Sequence, residues 1–251
     1  MAGDIEILRE GPSSFLLRVG GRDQSHVHLD DPTRLDFDYV RRMADVIDAH
    51  GAPAQPLRCV HVGGGGLTLP RYVAATRPRS GQIVLEPVTE VTEATRELLP
   101  LPARSGIKVR ALDGRSGLEA LRDDSADVVL LDAFDEGVVP ADLVTVECFG
   151  VVARVLAADG LFLLNLADRA PFAHVRRVVA GLRTVFPRLL LSAEPATLRA
   201  RRAGNLLVVA SPRSVPLATL RERAASSALP YRVLDEAGIS SSFGGGAPLH
   251  D

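Results

Sequence analysis

Four acidic residues and a run of glycines carry the chemistry most visible in this chain, and their spacing gathers them at one edge. Gly63, Gly64, Gly65 and Gly66 follow the apolar run LRCVHV at 57–62. Glu86 closes a second apolar run, 82–85, and lies 23 residues after Gly63. Asp113 closes a third run, 107–112, and is followed by Gly114; Asp132 closes a fourth, 127–131, with Asp135 beyond it. Continuous apolar runs mark strands buried on both faces of a parallel sheet. Glycines just past such a strand let the backbone turn sharply and approach a ligand, with helix N–H groups aimed at it. An acid at the end of the second strand, roughly 20 residues on, is where nucleotide-binding α/β folds hold ribose hydroxyls. Taken singly, each acid reads as a solvated loop residue and the glycines as a tight turn. Ligands of open parallel sheets bind outside the carboxyl ends of the strands, so the shared edge favours a nucleoside site.

The elements that must position these residues follow from periodicity. Residues 5–8 and 14–19 read as strands, Gly20-Gly21 as a hairpin turn, and 26–29 as a further short strand. Asp31-Pro32 opens toward a helix over 37–50, with Val40, Met43, Ala44 and Ile47 at helical spacing. GAPAQP at 51–56 is a linker. Beyond it strands and helices alternate: helices over 69–77, 88–98, 117–121, 143–156 and 172–185 separate strands at 57–62, 82–85, 107–112, 127–131 and 161–166. Strands at 189–193 and 205–210 close the sheet. Asp159-Gly160 reads as a helix-end signal, 217–225 as a helix, and 244–246 as a mobile glycine segment. This alternation predicts a doubly wound, Rossmann-like parallel sheet with right-handed crossovers. The expected division is a small β-rich unit with a helix at 1–52, a nucleoside-binding core at 53–212, and a partly ordered tail at 213–251.

Composition sets the bounds. The chain has 251 residues, 46% hydrophobic and 24% charged, with a formal net charge of −2. This is enough chain for a full core, and the near-neutral balance disfavours a nucleic-acid partner, which needs concentrated positive charge. No apolar run reaches the roughly 18 residues of a membrane span. The start, MAGDIEILREG, lacks a basic segment followed by an apolar core. Cys59 and Cys148 have no metal or redox spacing and read as buried thiols of a cytoplasmic protein.

Over residues 24–210 the pattern resembles the spermidine synthase family, aminopropyltransferases built on the class I methyltransferase fold. The family's GGGDGGxxRE stands here as Gly63-Gly64-Gly65-Gly66-Leu67-Thr68-Leu69-Pro70-Arg71-Tyr72. Its ExD stands as Glu86-Pro87-Val88, and its GDG or GDA as Leu112-Asp113-Gly114. Its DSSDPxGP stands as Asp132-Ala133-Phe134-Asp135-Glu136-Gly137-Val138-Val139-Pro140. The resemblance implies that Gly63, Gly64 and Gly65 pass close to the nucleoside, that Glu86 takes the ribose, and that Asp113 with Gly114 holds the adenine. It implies Asp132 as the catalytic carboxylate and Asp135 beside the amine, with Gln24, Asp38 and Tyr39 lining the amine pocket and a homodimeric assembly. It also implies S-adenosylmethionine or its decarboxylated form as co-substrate, and no metal. The family's loop aspartate, which anchors the aminopropyl ammonium, is Gly66 here. Its loss removes a charge-assisted anchor and also a repulsion toward the intact methionine tail, so the expectation shifts toward S-adenosylmethionine itself.

Three functional expectations follow. The first is aminopropyl transfer from a sulfonium nucleoside to a small amine. The second is methyl transfer from S-adenosylmethionine to a small molecule, and the third is a non-catalytic nucleoside-binding protein. The segment QSHVHLDDPTRLDFD at 24–38 carries two histidines and several aspartates. His26 and His28 on one strand face, completed by Asp30 or Asp31, have the makings of a metal site. A polar strand end with a cap at Asp31 is the plainer reading, and an amine pocket of Asp36, Asp38 and Tyr39 is a third. His61 reads as a core or strand-end histidine, His174 as exposed, and 199–202 as a solvated hairpin. Ser116 has no His/acid context, and Asn165 faces either the pocket or its own backbone.

Overall fold

The computed structural model describes residues 4–251, so the first three residues of the small N-terminal unit lie outside the described residues. β1 (Ile5–Arg9), β2 (Ser14–Val19) and β3 (Arg22–His28) form an antiparallel sheet. Gly20 and Gly21 join β2 to β3 with φ of +57° and +72°. A two-residue hairpin turn needs that left-handed backbone at both positions, and glycine supplies it without strain. α1 (Asp38–Ala49) then lays Val40, Met43 and Ile47 into the core. Its buried Arg42 donates to the carbonyls of Ser192 at 2.7 Å and Asn205 at 3.1 Å, tying the helix to the far side of the main sheet.

The core unit runs β4 (Arg58–Val62), α2 (Thr68–Thr76), β5 (Gly81–Leu85), α3 (Thr89–Leu98), β6 (Ile107–Arg110), α4 (Gly114–Glu119), β7 (Ala126–Leu131), α5 (Val146–Val155), β8 (Leu156–Asp168), α6 (Ala173–Val185), β9 (Arg188–Ala193), α7 (Pro195–Leu198) and β10 (Gly204–Ser211). α8 (Leu217–Ser226), β11 (Arg232–Leu234) and α9 (Glu236–Phe243) follow. The eight-stranded sheet has the order β11-β9-β10-β8-β7-β4-β5-β6. Strands β4 to β8 pair in parallel, as the apolar runs predict. Alternate residues of β4 enter opposite layers. Cys59 packs with α1, α2 and α8 on one face, and Val60 and Val62 with α5, α6 and α9 on the other.

Three local expectations change. β10 is antiparallel to both β8 and β9, because residues 194–203 are too short a connection for a parallel crossover. The helix expected over 143–156 ends at Val155, and Asp159-Gly160 lies inside β8 as an irregularity. Leu156 is buried against Ala126, so strand pairing begins where the helix stops. Beyond Ser211, β11 adds to β9 and Tyr231 donates to Asp45 of α1 at 2.7 Å. Gly246, in the segment expected to be mobile, packs on the Arg176 and Arg177 backbone, and the Val146 N–H donates to the Leu249 carbonyl at 2.9 Å.

Candidate functional site

Strand register decides the site. Val62 of β4 lies opposite Leu85 of β5 and Leu131 of β7, and Leu131 lies opposite Leu164 of β8. The next residue of each strand is therefore Gly63, Glu86, Asp132 and Asn165, side by side at one sheet edge. A cleft opens there against the β3–α1 segment, lined by Gln24, His26, Asp36, Tyr39, Gly63 and Asp132 among others.

Gly63 turns the chain out of β4 with φ of +94°, and a Cβ on it would come within 2.5 Å of the Asp132 carbonyl oxygen. Only glycine fits a left-handed backbone pressed so closely on a neighbouring strand. The Gly64 and Gly65 N–H groups donate to Glu86 Oε2 at 2.9 and 3.3 Å, and the Val88 N–H to Oε1 at 3.0 Å. A carboxylate offers about four acceptor positions, so Glu86 keeps one free on Oε1 in this geometry. Because these loop N–H groups are committed to Glu86, the turn has no anion cradle for a pyrophosphate. It suits an uncharged ribose instead.

Asp132 is half-buried at the cleft. Asn165 Nδ2 donates to its Oδ1 at 2.9 Å, and Tyr39 lines the same cleft beside it. Burial pushes its carboxyl above the ordinary value, and Asn165 and Tyr39 oppose that shift. Tyr39 is held well above its ordinary value by burial first and by the charge of Asp132 second. Asn165 is fully buried, and its own Oδ1 has no hydrogen-bond partner. The outcome is a carboxylate oriented by the Asn165 amide, which keeps an idle acceptor of its own.

The structure thus brings Gln24, Tyr39, Gly63, Gly64 and Asp132 to one cleft, with Glu86 beside them behind the glycine turn. It gives several other expected residues different work. Gly65 faces β3, where a Cβ would meet Ser25 Oγ at 2.6 Å. Gly114 packs under Val62 and Leu143, so its small size serves helix–strand contact. Asp113 is exposed and caps α4, accepting from the Ser116 N–H at 2.8 Å, which lowers its pKa and leaves Oδ2 for a ligand. Asp38 accepts from Arg42 at 3.3 Å instead of facing the cleft lining. Asp135 sits on an exposed turn through Glu136 and Gly137, both with positive φ, and Arg22 of β3 donates to the Glu136 carbonyl at 2.5 Å. In this conformation Asp135 is outside the cleft lining.

His61 is a core residue: its Nε2 meets Gln82 Oε1 at 2.9 Å, and burial lowers its pKa to about 4. Burial pushes Cys59 to about 12 and Cys148 to about 11, so neither thiol is primed as a nucleophile. His174 is half-buried, not exposed, and its Nε2 lacks a partner.

Three residues that shape the loop have no evident local signal. Ser25 Oγ accepts from the Gly66 N–H at 3.0 Å, and Thr95 Oγ1 donates to the Gly65 carbonyl at 3.2 Å. The buried Arg71 guanidinium donates to the carbonyls of Gly66, Leu99 and Pro100, and burial lowers its pKa to about 10. Arg71 occupies the arginine of the quoted glycine motif, the only hint in the sequence of its importance.

No protein-family model and no curated protein matches the chain. Solved structures do. A probable spermidine synthase from Corynebacterium glutamicum ATCC 13032 is 30% identical, with a TM-score of 0.90 over 98% of this chain and 92% of that one. The chain belongs to the spermidine synthase-like family. A spermidine synthase in complex with the transition state analogue AdoDATO has a TM-score of 0.62 at 17% identity, over 97% of this chain and 82% of that one. Human Methyltransferase-like protein 13 in complex with SAH also scores 0.62, at 23% identity over 82% of this chain and 99% of its own. These last two share the fold, which is the Rossmann-like arrangement of transferases of the aminopropyl and methyl kind. Among the described residues no helix is long and apolar enough to cross a membrane.

Proposed function

We propose that this spermidine synthase-like chain transfers an aminopropyl group from a sulfonium nucleoside to a small amine. The supporting observation is Asp132, held by Asn165 at the cleft beside Tyr39 and the glycine turn. In the proposed step the amine lone pair forms a bond to the carbon next to sulfur, that C–S bond breaks, and sulfur takes the electron pair. The neutral thioether methylthioadenosine leaves, and the proton shed by nitrogen passes to Asp132. Nitrogen, carbon and sulfur must be in line, so positioning lowers the barrier as well. Glu86 Oε1 and the free oxygen of Asp113 are the groups offered to the ribose and the adenine amino group. The folds that hold AdoDATO and SAH are consistent with a nucleoside of this class.

Gly66 favours a second reading, methyl transfer from intact S-adenosylmethionine. A Cβ there would meet Val27 Cγ2 at 2.9 Å and Ser25 Cβ at 3.0 Å, so the loop has no room for the anchoring carboxylate. The deciding experiment incubates the protein with each donor and a panel of small amines and identifies the thioether released. Methylthioadenosine from the decarboxylated donor supports aminopropyl transfer, and S-adenosylhomocysteine supports methyl transfer. Neither product, together with a nucleoside-induced rise in melting temperature, would leave a binding protein.

A further inference from the structure

We propose that His26, His28 and Asp36 form a binding site for a divalent transition-metal ion of the zinc class. His26 and His28 are two apart on β3, so strand alternation projects both rings from one face. Asp36, in the connection between β3 and α1, reaches across to both. Its Oδ2 contacts His26 Nδ1 and lies 2.6 Å from His28 Nε2. The rings meet edge to face with centroids 4.7 Å apart, and the three ligand atoms lie within 4.8 Å of one another. The partner is Asp36, not the nearer Asp30 or Asp31 expected from the sequence.

The other nitrogen of His26 supplies an independent argument. His26 Nε2 is 3.0 Å from Glu10 Oε2 and 3.1 Å from Ser14 Oγ. Facing a carboxylate, Nε2 must carry hydrogen. A neutral imidazole then presents Nδ1 as a bare lone pair, and that lone pair points at the Asp36 carboxylate. Two lone pairs facing each other need a cation between them. A metal on Nδ1, with Nε2–H donating to Glu10, is the carboxylate–histidine–metal arrangement that orients ligating imidazoles. Otherwise His26 must be an imidazolium, with both histidines donating to one oxygen of Asp36.

Two imidazole nitrogens and one carboxylate suit borderline ions such as Zn²⁺ and disfavour Mg²⁺ and Ca²⁺, which take oxygen ligands. Three protein ligands leave a coordination position open, as in sites where zinc holds water or a small molecule. His26 and Asp36 line the same cleft as Tyr39 and Asp132. With two neutral imidazoles, the Asp36 ligand and the orienting Glu10 carboxylate, a divalent ion is balanced in charge at this wall of the cleft. The inference stands whether or not the chain transfers aminopropyl groups.

The test uses the full chain, stripped with chelator and titrated with Zn²⁺ by calorimetry, with Co²⁺ as a visible-absorption probe. The expected result is about one equivalent bound, a rise in melting temperature by mass action, and no competition from Mg²⁺. Asp36→Asn and His28→Gln should each abolish uptake and the tetrahedral Co²⁺ bands. Glu10→Gln should weaken binding by about 10- to 100-fold, the usual effect of losing an orienting partner. His250→Ala, at the separate surface pair of His250 with Glu147, should change nothing. Circular dichroism identifies a variant that fails to fold, and the Glu10 variant then carries the test. No uptake by the wild type, or uptake unchanged in the folded variants, overturns the proposal and leaves a hydrogen-bonded cluster.

Discussion

Asp132→Asn separates catalysis from folding more cleanly than any other change at this site. The carboxylate accepts from Asn165 Nδ2 at 2.9 Å. An asparagine there keeps one acceptor oxygen and turns the other position into a donor. The network can heal, because Asn165 has an unpartnered Oδ1 that an amide flip would present to the new NH₂. The variant also removes a charge that burial disfavours, since the Asp132 carboxyl is held above its ordinary value. A carboxylate with a raised folded-state pKa binds its proton more tightly when folded, so its contribution to stability falls as pH rises through the window above 3.8. The melting temperature of Asp132→Asn should therefore equal or exceed that of the wild type at neutral pH. The difference should vanish as pH drops through that window. Turnover should fall by about 10²–10⁴, the usual worth of a positioned base, or about 2.7–5.5 kcal/mol of barrier. Nucleoside-induced stabilisation should persist. The assays are thioether release and thermal unfolding against pH. Turnover within about threefold of wild type, on the same expectation for a base, would refute Asp132 as the base. Loss of turnover together with a lowered melting temperature would refute the separation of roles.

Gly66→Asp, which restores the family's loop carboxylate, should not create selectivity for the decarboxylated donor. Its side chain would meet Val27 and Ser25, so chemical denaturation should show a loss of roughly 1–3 kcal/mol, typical of overpacking; unchanged stability with new selectivity would show that β3 yields. Arg71→Met should leave the Gly66, Leu99 and Pro100 carbonyls without their buried donor and cost ~3 kcal/mol or more, measured by urea unfolding, with weaker nucleoside binding by calorimetry. Gly63→Ala puts a Cβ against the Asp132 carbonyl at a left-handed φ, so strain of about 1–3 kcal/mol should appear in the same unfolding measurement.

What the sequence by itself determined is the alternation of buried strands and helices, and with it the edge at which Gly63, Glu86 and Asp132 follow their strands; Asp113 instead stands three residues past β6, as the cap of α4. Apolar runs and glycine turns are local signals, set by burial and by backbone sterics, and they survive without knowledge of neighbours. The resemblance to spermidine synthases rests on the same residues, and the family relationship agrees with it. Tertiary structure decided what each side chain touches. Gly65 and Gly114 serve packing because Ser25, Val62 and Leu143 arrive from elements remote in the chain, whereas Asp38 is taken by Arg42 one turn on in α1 and Asp135 lies on an outer turn closed by Val138. The reversed direction of β10 and the docking of β11 on β9 depend on which edge of the sheet was open and on how short a connection was available. Ser25, Arg71 and Asn165 carry no periodic mark, since a hydrogen bond across the fold leaves no trace in local spacing. The convergence of His26 and His28 follows from strand alternation, but the arrival of Asp36 between them depends on the path of the β3–α1 connection in three dimensions.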